Sequence, residues 1–217
     1  MDRTGTVIQS NFSDKAIHVN VGRDIGELRT EIVRKAIHFL IALTPTLASI
    51  NKMATAAILI IGTLGYTLME YLRLSGVKIP IISYVTGMAS RQRDIGGFVM
   101  GPVTLGLGAL LALLLYPSNA AAVAIYALAF GDGFASLVGK FFGKWRPAFL
   151  SGKSVEGSLA CFAAVLISAY AVCDNIHIAC VAAFTATAVE ALPLEDYDNI
   201  VIPMTVGLAV QFATIAL

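Results

Sequence analysis

The sequence predicts an all-α fold: a polytopic transmembrane helix bundle of about seven spans, with the N-terminus cytoplasmic. Three observations carry this. Of the 217 residues, 57% are hydrophobic and 13% charged, with a mean hydropathy of +0.79; a soluble domain carries about a quarter charged residues. Seven apolar stretches come near the ~20 residues that a helix needs to cross the hydrocarbon core. The basic residues then fall almost entirely on one side of those stretches. The formal net charge of +1 gives no reason to expect a nucleic-acid partner.

The spans are expected at 33–50, 54–72, 96–116, 119–139, 155–173, 176–191 and 200–217. Asn51-Lys52, Pro117-Ser118-Asn119 and Cys173-Asp174-Asn175 are brief polar interruptions that read as tight turns, pairing spans one and two, three and four, and five and six as hairpins. Ahead of them, residues 1–30 form a polar cytoplasmic arm with no apolar core of a signal peptide and no small-residue cleavage site. Residues 31–217 form the transmembrane catalytic domain. Cys161, Cys173 and Cys180 lie in or beside apolar runs, form no CxxC pair, and read as small buried apolar residues.

Charge placement fixes direction. With the N-terminus inside, Arg3, Lys15, Arg23, Arg29, Arg34, Lys35, Arg73, Lys78, Arg91, Arg93, Lys140, Lys144, Arg146 and Lys153 are cytoplasmic, and Lys52 alone is outside. The acidic residues follow. Glu31, Glu70, Asp94, Asp132, Glu156, Glu190, Glu195, Asp196 and Asp198 fall at or near cytoplasmic helix ends, against Asp174 outside. Snorkelling ends would account for a solvated rim; both signs crowded on one face are what a charged reaction site needs. A transport pathway would instead place ionisable groups near the midplane and on both sides.

Five constellations carry chemistry. On the first span, helical spacing sets Glu31 beside Arg34 and Lys35, and Arg34 beside His38; together they suit phosphate handling. Glu70 and Arg73 repeat the theme three residues apart, or form a plain intrahelical ion pair. Gly131-Asp132-Gly133 through Gly139-Lys140 closes the fourth span. An ionised Asp there costs ~2.5–3.5 kcal/mol on insertion scales and so needs a partner or a metal, while the glycines permit close approach. Gly152-Lys153-Ser154 is not a P-loop, because Pro147 stands where the motif needs glycine and no strand precedes it. With Glu156, Gly157 and Ser158 it reads as an anion cradle at a helix N-terminus, or equally as helix capping. Last, Glu190 and Glu195-Asp196-Tyr197-Asp198-Asn199, ahead of Pro203, gather carboxylates that face Asp132 across the bundle end, a candidate divalent-cation site.

In this order these elements resemble the membrane lipid-alcohol kinases that use CTP: dolichol kinase, phytol kinase and the yeast-type diacylglycerol kinase. The resemblance covers about residues 27–205 and implies phosphoryl transfer from CTP to a hydrophobic alcohol with a divalent cation such as Mg²⁺. Arg34, Lys35, Asp132 and Gly139 sit where that family's functional positions fall. On this reading Asp132, Glu190 and Asp198 hold the metal, and Lys153, Arg34, Lys35 and Arg73 neutralise the transferring group. Gly131, Gly139, Lys140, Ser154, Gly157, Ser158 and Asn199, with Arg73, contact the nucleotide. The base is Asp132, Glu70 or His38. The expected membrane is a prokaryotic plasma membrane with the site facing the cytoplasm, and no oligomeric state follows. Phosphatidate cytidylyltransferases are more distant kin, but their long Asp-rich C-terminal segment is absent here.

Overall fold

The computed structural model describes residues 29–77, 80 and 96–216. Most of the predicted 1–30 arm, together with Lys78, Arg91, Arg93 and Asp94, lies outside the described residues. Within them the chain is helix and connecting segments. Helix α1 covers 29–41 and is followed by α2 (Thr44–Leu74), α3 (Gly101–Leu115) and α4 (Ser118–Tyr126). A π-turn at Ala127–Gly131 joins α4 to α5 (Asp132–Phe141), and α6 (Val155–Cys173), α7 (Ile176–Glu190) and α8 (Asp198–Ala216) complete the bundle. Four helical stretches are long and apolar enough to cross a membrane: Thr44–Leu74, Ser118–Phe141, Val155–Cys173 and Asp198–Ala216. The protein is an integral membrane protein.

Two predicted spans differ from the helices found. The expected first span, 33–50, is broken at Ala42-Leu43, whose amides turn back to the Phe39 and Leu40 carbonyls at 3.1 Å each. Pro45 follows in the first turn of α2, a position its fixed φ favours. Inside α2, Asn51 leaves helical geometry (φ −154°, ψ 100°) and its side-chain oxygen accepts the Ala54 amide at 3.0 Å, so a new helix starts at the expected Asn51-Lys52 turn. The expected third span, 96–116, is helical only over the 15 residues Gly101–Leu115, about 22 Å of helix. The Asn175 side chain caps α7, accepting the His177 amide at 2.9 Å, which makes the predicted polar interruption a helix start.

Small residues bring the helices together. Helix α7 packs on α6 and α8, α3 on α2 and α8, and α5 on α6. Ala109, Ala112, Ala124, Ala179, Ala182 and Ala186 are wholly buried between them, as expected where van der Waals approach drives helix association. Ile58, Ile61, Leu64 and Leu68 of α2 point outward, which suits hydrocarbon. Pro203 lies inside α8 and has no N–H for the Asn199 carbonyl one turn back. That carbonyl sits against Gly108 of α3, where any Cβ would collide with it.

Alternation of the helices puts the start of α1, the end of α2, the starts of α3, α6 and α8, and the ends of α5 and α7 at one end of the bundle. That end carries the charge.

Candidate functional site

Helix α1 presents Glu31, Arg34, Lys35 and His38 at three- and four-residue spacing, so all four share one side. Facing them is Asp132, the first residue of α5, delivered by the π-turn; such turns recur at functional sites. Lys35, 2% exposed, is ion-paired and hydrogen-bonded to Asp132 Oδ2. His38 Nδ1 lies 3.1 Å from the same oxygen. Glu31 Oε1 stands 3.9 Å from Lys35 Nζ, and Arg34 bridges Glu31 at 3.2 Å and Asp196 at 3.6 Å. A carboxylate buried this deeply is stable only with such partners. Phe39 seals the neighbouring surface, its ring 5.2 Å from Phe134 and 6.1 Å from Phe130. Gly133 makes room for it, since a Cβ there would stand 2.7 Å from the Phe39 ring.

Beside this centre opens a cleft of about 310 Å³ between α1, α5, α6 and α7. Glu31 and Ser136 line it and also touch the buried centre, Ser136 Oγ lying 3.5 Å from Asp132 Oδ1. Its rim is the loop between α5 and α6. There Arg146 donates to the Gly139 carbonyl at 2.6 Å and the Gly152 carbonyl at 2.5 Å, while the Glu156 carboxylate accepts the Lys144 and Trp145 amides at 3.0 and 3.2 Å. Lys153 crosses to α7, pairing with Glu190 Oε1 at 3.0 Å, and Ser158 Oγ lies 3.5 Å from Glu190 Oε2. Lys140 completes the basic lining.

The glycines and Ser154 serve packing as well as the cleft. Ser154 Oγ accepts the Gly157 amide at 3.1 Å and caps α6, so the capping alternative holds. Gly139 and Gly157 let α5 and α6 meet: a Cβ on Gly157 would stand 2.6 Å from the Ala135 carbonyl oxygen. Both nevertheless line the cleft. Gly131 does not; it is buried against Val165 and Cys161 of α6. Asn199 is also turned inward, donating to Thr104 Oγ1 at 2.9 Å. Glu70 and Arg73 are ion-paired to each other at 2.8 Å, and neither lines the cleft.

The three expected metal carboxylates do not form one cage. Among the described residues no group of three or more His, Cys, Asp or Glu side chains converges on a cation position. Asp132 faces Lys35 and Glu190 faces Lys153, each neutralised by the nearer lysine. Asp198 lies within electrostatic range of Asp132, Lys35 and Lys153. This donor set still fits Mg²⁺, which takes one or two carboxylates and fills its shell with phosphate oxygens and water, because Asp132 Oδ1, among the described residues, meets Ser136 Oγ at the long distance of 3.5 Å while Lys35 takes Oδ2. Arg146 and Ser136 were not singled out in the sequence. Ser136 stands one turn after Asp132, a legible signal; Arg146 looked like any other basic loop residue.

No family model matches the chain, and no solved structure matches it. It is 27% identical over 158 residues to CTP-dependent diacylglycerol kinase 1 of Eremothecium gossypii, covering 70% of this chain and 50% of that protein. It is 30% identical over 142 residues to a probable chloroplastic phytol kinase of Triticum aestivum, covering 57% of this chain and 46% of that protein. The chain thus spans about half the length of these curated relatives. Both are named as kinases, one of diacylglycerol and one of phytol, and the first is named as CTP-dependent.

Proposed function

We propose, from this kinship with CTP-dependent lipid kinases, that the chain is an integral membrane kinase moving the γ-phosphate of CTP to the hydroxyl of a hydrophobic alcohol. The acceptor would be a polyprenol, a phytol-like isoprenoid or diacylglycerol. The observation that carries the reading is the junction of the buried Lys35–Asp132–His38 centre with a basic, glycine-lined cleft through Glu31 and Ser136. The fourteen-to-one basic asymmetry supports a cytoplasmic cleft.

On this reading the nucleotide's phosphates lie along the rim held by Arg146, near Lys153 and Lys140, and the lipid reaches Asp132 from the bilayer. Asp132, with Asp198 or Glu190, would hold Mg²⁺, which when bound neutralises charge on the phosphates. The acceptor oxygen forms the new bond to the γ-phosphorus as the bond to the β-phosphate oxygen breaks, and CDP leaves. The hydroxyl proton passes to Asp132 or His38. Lys35, Arg34 and Lys153 act by position and charge, which carry most of the rate in phosphoryl transfer.

The test is transfer in detergent with Mg²⁺, a panel of lipid alcohols plus phosphatidic acid, and CTP labelled at either the α- or the γ-phosphate. Label moving from the γ-position into a lipid monophosphate, with CDP formed, supports the kinase and names its acceptor. Label moving from the α-position, with pyrophosphate released, would make the protein a cytidylyltransferase.

A further inference from the structure

We infer that Glu70 and Arg73 are positioning residues that lock residues 97–99 against the end of α2 and so set where Gly101 and Pro102 stand beside Arg34 and His38. Glu70 is fully buried, at 0% exposure, and both its oxygens are committed. Oε2 receives Arg73 Nε at 2.8 Å, and Oε1 receives Arg73 Nη2 at 2.8 Å and the Val99 amide at 3.0 Å. Arg73 Nη2 donates again to the Gly97 carbonyl at 2.9 Å, and the Tyr66 hydroxyl donates to the Val99 carbonyl at 3.2 Å. Tyr66, Glu70 and Arg73 are four and three residues apart, so one side of α2 grips the backbone of Gly97 and Val99.

That backbone runs straight into α3. Gly101 and Pro102, with Arg34, Ile37, His38 and Leu105, enclose a small cavity of about 20 Å³. From the other side Asn199 of α8 holds Thr104. The first turn of α3 is therefore fastened from two helices and forms the wall against which Arg34 and His38 stand. A general base needs a lone pair aimed at the substrate proton, and a phosphate-binding guanidinium needs N–H groups aimed at the anion. In this pair both carboxylate oxygens and the Nε and Nη2 donors serve the protein's own chain. The inference rests on the kinase reading only for its consequence on rate.

Hydrogen–deuterium exchange on the ligand-free protein in detergent, with CTP-dependent lipid phosphorylation followed in parallel, tests it. Glu70→Gln, Arg73→Gln and the milder Tyr66→Phe should speed exchange across 97–104, by about tenfold for each hydrogen bond lost. The value of kcat should fall in the same order while KM for CTP stays within about twofold, and Arg73→Lys, keeping a donor, should restore part of both losses. Unchanged exchange with a kcat loss of about a hundredfold or more would make Glu70 a catalytic residue and overturn the inference. Unchanged exchange with a raised KM for CTP in the Arg73 variants would do the same, by placing Arg73 on the nucleotide. Should the wild type transfer no phosphate, the kinase reading falls while the exchange data still decide the clamp. Tyr66→Phe leaves both charges in place, so the exchange comparison stands even where a charge variant misfolds.

Discussion

Lys153 Nζ lies 3.0 Å from Glu190 Oε1 and also contacts the Glu190 backbone carbonyl, tying the loop before α6 to the last residue of α7. The two groups differ in exposure: the lysine side chain is 30% exposed, the carboxylate 6%. Removing the lysine therefore strands a buried charge. Lys153→Ala should lower stability by about 1–3 kcal/mol, between the exposed and buried extremes for ion pairs. Lys153→Ala/Glu190→Gln should recover much of that loss without recovering activity, as read by thermal unfolding in detergent beside a transfer assay.

The same logic separates fold from chemistry at Asp132. Asp132→Asn should cost about 10²–10³ in kcat, the scale of losing a charge-stabilising group, while the protein still inserts with unchanged helical content. Adding Lys35→Met should relieve the stranded ammonium and raise the unfolding temperature with no gain in activity. Circular dichroism and lipid phosphorylation on the single and double variants would check this, and an active Asp132→Asn protein would remove the residue from the mechanism.

Arg146 holds two carbonyls with one planar guanidinium, and a lysine reaches only one of them. Arg146→Lys should leave the bundle intact and raise KM for CTP several-fold by loosening the Gly152 rim. Nucleotide titration of the initial rate measures it.

A packing prediction is independent of any activity. Gly108→Ala must push against the Asn199 carbonyl, a backbone atom that cannot swing aside, at a cost of about 1–3 kcal/mol. Gly62→Ala meets nothing within 4 Å and should be neutral or gain about 0.5–1 kcal/mol in its helix. The difference in thermal midpoint between these two variants is the measurement.

The sequence shows that Asp132, ionisable in an apolar helix, needs a partner. It does not show that Lys35 and His38 fill that place, because spacing along one helix does not say which other helix faces it, and the carboxylates Glu190 and Asp198 with a cation are the expected neighbours. The Asn51-Lys52 and Cys173-Asp174-Asn175 turns are legible from their polar side chains, of which Asn51 and Asn175 cap the helices that follow. The break at Ala42-Leu43 is not, since hydropathy runs unbroken through it and only Pro45 marks the new start. Glu70 and Arg73 read as a pair, but spacing along one helix cannot say that the pair holds a distant segment such as 97–99. Resemblance puts Gly131 and Asn199 on the nucleotide, whereas Gly131 packs against Val165 and Cys161 of α6 and Asn199 donates to Thr104 of α3.

Asp132 owes its direction to the five residues before it. The π-turn at Ala127–Gly131 carries one more residue than an α-helical turn would. Rewinding those five residues to ordinary helix at full length would leave every charged side chain present and the helix still apolar. It would rotate Asp132 by about 100° about the axis and carry it off Lys35 and His38. In this stretch a substitution is felt as volume and a change of winding as rotation, so the centre depends on how the chain winds as much as on residue identity.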